Sequence, residues 1–183
     1  MWFFIILLIL VLVAVGGGIL LYNGLVKQRN NIEGAWAQID VQLKRRYDLI
    51  PNLVETVKGY ATHEKETLDA VITARNAGMS AEGVHDQAEA ENMLTGALKS
   101  VFALSEAYPD LKANQNFLNL QEELTGTEGR IAYARQFYND SVRTYNTKIE
   151  TFPGNLVAGT FNFEAREYFE VDGDARGPVN VEF

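Results

Sequence analysis

The chain has 183 residues, a net charge of −8 and no cysteine. The missing thiols exclude disulfides, thiolate metal sites and cysteine nucleophiles. The acidic balance argues against a nucleic-acid partner. The charge is uneven: residues 1–77 carry 8 Lys+Arg against 7 Asp+Glu, and residues 78–183 carry 8 against 17.

Trp2 to Tyr22, WFFIILLILVLVAVGGGILLY, contains no charged residue, no Pro and no Asn, Gln, Ser or Thr. As a helix it extends about 30 Å, the thickness of a bilayer's hydrocarbon core. A cleaved signal peptide fits less well, because no Lys or Arg precedes the run, the run is long, and no clean A-x-A site follows. Residues 1–23 therefore read as a transmembrane anchor. Ala14 and Gly18 form a small-xxx-small pair, and Gly16 and Gly17 extend the smooth patch. This is a candidate helix–helix contact in lipid, although glycine is also common in spanning helices. The first basic residues after the run, Lys27 and Arg29, favour an N-terminus outside and a cytoplasmic domain.

From Gly24 to Ala77, apolar residues recur at Ile32, Trp36, Ile39, Leu43, Tyr47, Ile50, Val54, Val57, Ala61, Leu68 and Val71. The spacing predicts one long helix with a coiled-coil-like stripe, continuous with the anchor. The stripe, with Ile32, Trp36, Ile39, Leu43, Ile50, Val54 and Val57 at its centre, is either core or a self-association surface. Pro51 predicts a kink between Tyr47 and Pro51. GMSAEG at 78–83 reads as a turn with Ser80 as a cap. A second helix is expected from Asp86 to Ala107, ended by Pro109. A third, about 35 residues long by its apolar pattern, begins at a cap on Asp110 or Asn114 and stops at Phe152-Pro153-Gly154. A short helix is expected over 155–159.

The remaining 24 residues, 160–183, read as an extended tail with Phe161, Phe163, Tyr168 and Phe169 laid over the end of a bundle. The alternation of Val179, Val181 and Phe183 suits a short strand that adds to a partner's sheet, or a frayed terminus. The expected fold class is all-α: an N-terminal transmembrane helix, then an antiparallel up-and-down bundle of two long and two shorter helices over 24–159, then the tail.

Catalytic groupings are scarce. His63 and His85 are isolated and read as surface residues, and no serine lies in a G-x-S-x-G setting. No cofactor is expected. The polar residues that stand out are Arg45, Arg46, Asp48 and Asn52 around Pro51, and Asn139 and Asn146, each following a tyrosine. They read either as a polar layer fixing helix register or as a ligand groove at the kink.

YNGLVKQRNNIEGAWAQIDVQLKRRYDLIPNLVETVKGYATHEKETLDAVITAR (22–75), EAYPDLKANQNFLNLQEELTGTEGRIAYARQFYNDSVRTYN (106–146) and FPGNLVAG (152–159) followed by FNF resemble the LemA family of bacterial membrane proteins. DVQLKRRYDLIPNLV and YPDLKANQNF are long, specific stretches. The resemblance implies a single spanning segment followed by a helical bundle in the bacterial inner membrane. No enzymatic activity is established for that family, the resemblance says nothing about cofactors, and it carries no catalytic role to Arg45, Arg46, Asp48, Pro51 or Asn52. Two readings of function follow. The first is a non-enzymatic membrane-anchored scaffold or adaptor, self-associating as a homo-oligomer, touching membrane lipid and offering its tail to a protein partner. The alternative is a domain that senses a ligand or binds a lipid headgroup at the membrane surface.

Overall fold

Six helices and no strand make up the described residues, 1–170, of the computed structural model. They are α1 (Trp2–Lys58), α2 (Lys65–Ser80), α3 (Gly83–Ala107), α4 (Pro109–Lys112), α5 (Gln115–Glu150) and α6 (Gly154–Phe161). The all-helical class agrees with the sequence reading, and helical periodicity is what produces it. The alternation of Val179, Val181 and Phe183, read as a short strand or a frayed terminus, lies outside the described residues.

The apolar run and the first part of the stripe form one helix, as expected, but that helix ends at Lys58 rather than Ala77. Residues 59–64 form a non-helical connection, in which Tyr60 N–H and Ala61 N–H both donate to the Val57 carbonyl. The connection is held from outside: Tyr108 Oη donates to Glu64 (3.0 Å) and Asn114 Nδ2 donates to Tyr60 Oη (2.8 Å). Val57, Ala61 and Leu68 are buried on both sides of the break, so the stripe stays in phase across it. That continuity explains why the break is hidden from periodicity.

Pro51 lies inside α1, which runs on through it. A proline removes the N–H that would bond the carbonyl four residues back. That carbonyl belongs to Tyr47, and Arg75 of α2 supplies the missing donor, Nε to O at 2.8 Å. The supposed turn over 78–83 is another correction. Helix α2 continues to Ser80, and only residues 81–82 separate it from α3, which opens on Gly83 at φ +89°. Such a φ suits glycine because no Cβ stands in the way. Ser80 does not cap α3; its hydroxyl bonds back to the Asn76 carbonyl. Gly78, buried in α2, lies against the Tyr47 hydroxyl, where a Cβ would collide.

Asn114 caps α5 as expected, its Oδ1 accepting from Phe117 N–H at 3.0 Å. Pro109 ends α3 and then starts the single turn of α4, a favoured first position for proline. The short last helix spans eight residues, Gly154–Phe161, so Phe161 is helical rather than extended. Asn162 closes it in the left-handed region at φ 53°, and Phe163 N–H donates to the Ala158 carbonyl.

The chain divides into two compact units. Unit 1 comprises residues 1–38 and 136–167. Its core is Leu25, Ile32 and Ala35 of α1, Tyr138, Val142, Tyr145 and Ile149 of α5, and Ala158 of α6. Trp36 packs edge-on against Tyr138, with ring centroids 5.5 Å apart. Unit 2 comprises residues 39–135 and, among the described residues, 168–170. Its core is built from Ile39, Leu43, Ile50, Leu53 and Val57 of α1, Leu68 and Val71 of α2, Leu94, Leu98 and Val101 of α3, and Phe117, Leu124 and Ile131 of α5. Helices α2 and α3 pack directly on each other.

The first part of α1 is unlike either core. The apolar run lies almost wholly exposed, Trp2 at 77 % and Leu20 at 75 %, and it is long and apolar enough to cross a membrane.

Candidate functional site

A buried cluster of charged and polar side chains lies in unit 2 around the expected position Arg46. On the α1 stripe, residue 46 sits three after Leu43 and four before Ile50, so helical geometry turns it inward. Its guanidinium is 2 % exposed. Nη1 donates to Glu91 Oε2 at 2.8 Å, and Nη2 donates to Thr95 Oγ1 and to Glu128 Oε2, each at 2.8 Å. Glu91, 1 % exposed, also accepts a hydrogen bond from Tyr47 Oη. Gln87 Nε2 donates to Tyr47 Oη at 2.8 Å and to the Gly78 carbonyl at 3.3 Å. The result is an ionic cluster spanning α1, α2, α3 and α5.

Its electrostatics follow from burial. Desolvation pushes the Glu91 carboxyl up, and the Tyr47 hydrogen bond and the Arg46 charge oppose that push. The Tyr47 phenol is pushed well above its ordinary value by burial and by the neighbouring Glu91 charge, so it stays a proton donor. Arg135 is lowered by burial, its guanidinium lying 5.1 Å from the centre of the Phe169 ring. A cavity of about 180 Å³ opens beside the cluster, lined by Arg46, Thr95, Leu98, Phe102, Leu124 and Glu128 among others. Arg46 Nε, also buried, makes no hydrogen bond among the described residues.

The other sequence candidates behave differently. Arg45 is half exposed and reaches Glu123 only at 3.6 Å. Asp48 and Asn52 are exposed, the latter offering only its carbonyl, to Thr56. Asn139 and Asn146 belong to unit 1, and the other four belong to unit 2. Asn139 is half-buried. Asn146 is buried and grips one residue from both sides: Nδ2 donates to the Arg166 carbonyl and Oδ1 accepts from Arg166 N–H, each at 2.9 Å. Tyr138 Oη donates to the Glu167 carbonyl at 3.0 Å, so two side chains of α5 hold a non-helical segment.

Of the stripe residues, Ile32, Ile39, Leu43, Ile50, Val54 and Val57 are buried within the chain, and Trp36 is half-buried against Tyr138. Along the spanning run Ala14 is exposed, Gly17 and Gly18 are partly exposed, and nothing lies within 4 Å of where a Cβ on either glycine would stand. His63 and His85 are exposed. Among the described residues no three His, Asp or Glu side chains converge as a metal site would require.

Sequence reasoning singled out Arg46 but missed Glu91, Gln87, Tyr47, Glu128 and Arg75. A signal existed for two of them. Extending the α3 stripe back from Leu94 in steps of three and four lands on Glu91 and Gln87, polar residues at core positions.

The LemA family model matches residues 35–183. A protein LemA of Metamycoplasma hominis is 31% identical over 163 residues, covering 83% of this chain and 73% of that protein. Magnetosome protein MamQ 2 of Paramagnetospirillum magneticum is 25% identical over 178 residues, and MamQ of Magnetospirillum gryphiswaldense is 23% identical over 177. The chain spans 65% of the length of each of these two magnetosome proteins. None of these names denotes a reaction. By the family match and the similarity to protein LemA, the chain belongs to the LemA family.

Proposed function

We propose that this chain is a non-enzymatic, membrane-anchored helical scaffold or adaptor, in which residues 2–22 span the inner membrane and the rest forms an antiparallel up-and-down bundle. The observation that carries this reading is a contrast in burial. The spanning run is almost wholly exposed, while the apolar stripe farther along the same helix is covered from within the chain. A bare apolar helix beside a satisfied core suits lipid as its surroundings. The buried ionic cluster fits a register-fixing role, because its charges are spent on one another.

Self-association, on this reading, runs through the small-residue face at Ala14, Gly17 and Gly18 rather than through the stripe. The test is cross-linking of the full chain in vesicles. Gly17→Leu/Gly18→Leu reduces the cross-linked dimer while leaving helicity unchanged; an unchanged dimer yield removes the anchor as the contact. The positive charges of Lys27 and Arg29 favour a cytoplasmic bundle. A cysteine introduced at Ala175 then stays unlabelled by an impermeant thiol reagent until cells are opened.

One observation favours a second reading, a ligand-binding domain: the cavity beside Arg46, with its unbonded Nε and apolar lining. A small amphipathic carboxylate suits that chemistry. Binding would raise the melting temperature of the wild type and have no effect on Leu98→Trp, which fills the space.

A further inference from the structure

The segment from Thr151 to Phe163, TFPGNLVAGTFNF, has no charged residue in 13 positions. It holds α6, whose inward face is Gly154 and Ala158. The outward face should be polar if it met water. Instead Leu156 on that face is 62 % exposed, and Phe152 just before the helix and Phe161 at its last position are 79 % and 57 % exposed. Three large apolar side chains on one short uncharged segment form a surface that calls for a partner.

The height of that surface along unit 1 can be read from contacts. Trp36 of α1 packs on Tyr138 of α5. Seven residues back along α1 and seven forward along α5, Arg29 and Tyr145 line one cavity. The next such step brings Tyr22, the last residue of the apolar run, level with Phe152. Ring contacts at the same end agree: Tyr22 lies 4.8 Å from Phe161 and 5.6 Å from Phe163, centroid to centroid. Arg29 then caps the set from the polar side, 5.8 Å from the Phe163 ring centre. An aromatic belt with a cation one or two turns beyond it is the arrangement found at a membrane–water boundary.

We infer that α6, with Phe152, is an interfacial helix that docks on the same bilayer α1 crosses, burying Phe152, Leu156 and Phe161 among the acyl chains at the headgroup boundary. The inference rests on the proposed spanning role of residues 2–22. The partner is the lipid surface itself. Continuity of this face with the apolar run, through the Tyr22–Phe161 contact, favours lipid over a second protein. The segment is the chain's second attachment and fixes the tilt of unit 1 against the membrane, which a single helix leaves free.

The absence of native cysteine makes the test direct. Spin labels are placed one at a time in the full chain through Val11→Cys, Phe152→Cys, Leu156→Cys and Thr144→Cys. Each protein is reconstituted in vesicles of phosphatidylcholine and phosphatidylglycerol, with helicity checked by circular dichroism. Collision with oxygen, which favours lipid, is compared with collision with a polar nickel chelate. Thr144 is exposed on α5, about 12 Å from the level of Phe152 at helical rise. Labels at 152 and 156 are expected to show the oxygen preference of the label at 11, at depths of about 5–10 Å, and the label at 144 the nickel preference of water. Nickel access at 152 and 156 equal to that at 144 overturns the inference. Shielding of both positions from both reagents overturns it too, in favour of a protein covering the face. If the label at 11 also reads water, the spanning reading itself has failed, a result distinct from failure at α6 alone.

Discussion

Units 1 and 2 satisfy buried polar groups by opposite means. Unit 2 uses charge: Arg46 against Glu91 and Glu128 inside the core, and Arg75 against the carbonyl orphaned by Pro51. Unit 1 uses neutral groups aimed at backbone: the Asn146 amide on Arg166 and the Tyr138 hydroxyl on Glu167. The difference teaches where each unit is fragile. A buried charge that loses its partner costs more than a neutral group that does, because the ion's desolvation is left uncompensated. Charge pairing therefore fixes helix register strongly, while amide pairing holds a non-helical segment with less at stake.

The largest effect is expected at Glu91. Glu91→Ala leaves Arg46 buried with only the half-exposed Glu128 as counter-ion, and should cost about 3–5 kcal/mol in chemical denaturation. The paired change Arg46→Met/Glu91→Leu should recover most of that loss. If the double variant is as unstable as the single, the cluster stabilises by more than mutual neutralisation. Next comes Asn146→Ala, which strips both bonds from Arg166 and should cost about 2–3 kcal/mol. Hydrogen exchange should accelerate at Arg166 N–H while the α5 amides stay protected. Uniform acceleration would mean that the tail and α5 open as one unit.

A smaller effect sharpens the account of Pro51. Arg75→Met removes the donor to the Tyr47 carbonyl and should cost about 1–2 kcal/mol. In a Pro51→Ala background, residue 51 regains an N–H for that carbonyl, so the same change should cost less than half as much. Equal costs in the two backgrounds would show that Arg75 acts by packing alone. The smallest effect is expected at Arg45, whose pairing with Glu123 is half exposed and long. Arg45→Ala should change stability by less than about 0.5 kcal/mol. A larger loss there would erase the contrast between buried and surface charge on which the comparison stands.

Much of the helical layout was legible because apolar spacing and proline positions act locally. The α5 boundaries follow from Asn114 and from Phe152-Pro153-Gly154, and the end of α3 follows from Pro109. The break at 59–64 was hidden because Val57, Ala61 and Leu68 keep the stripe in phase across it. Gly78 and Ser80 suggested a turn, yet Gly78 is there to admit the Tyr47 hydroxyl, a requirement set by a residue 31 positions earlier. The candidate site was half legible for the same reason. Arg46 stands out locally as a charge on a stripe, but Glu91 lies 45 residues away and spacing alone does not join the two. Arg75 could be reached by asking who replaces the N–H that Pro51 lacks, but not which side chain answers.

The Asn146 clamp has a consequence for what the segment after α6 can tolerate. An amide that donates to one residue's carbonyl and accepts from the same residue's N–H reads backbone groups alone, and these are alike for every residue except proline, which has no N–H. The grip is therefore indifferent to any side chain at 166 but proline's, as strand pairing would be, without needing a strand. At its own position it is intolerant: aspartate cannot donate, and glutamine is one methylene too long. A foreign loop grafted over residues 164–167 should be seated as the native one is, so this stretch can be rewritten as an affinity handle without unfastening it from α5.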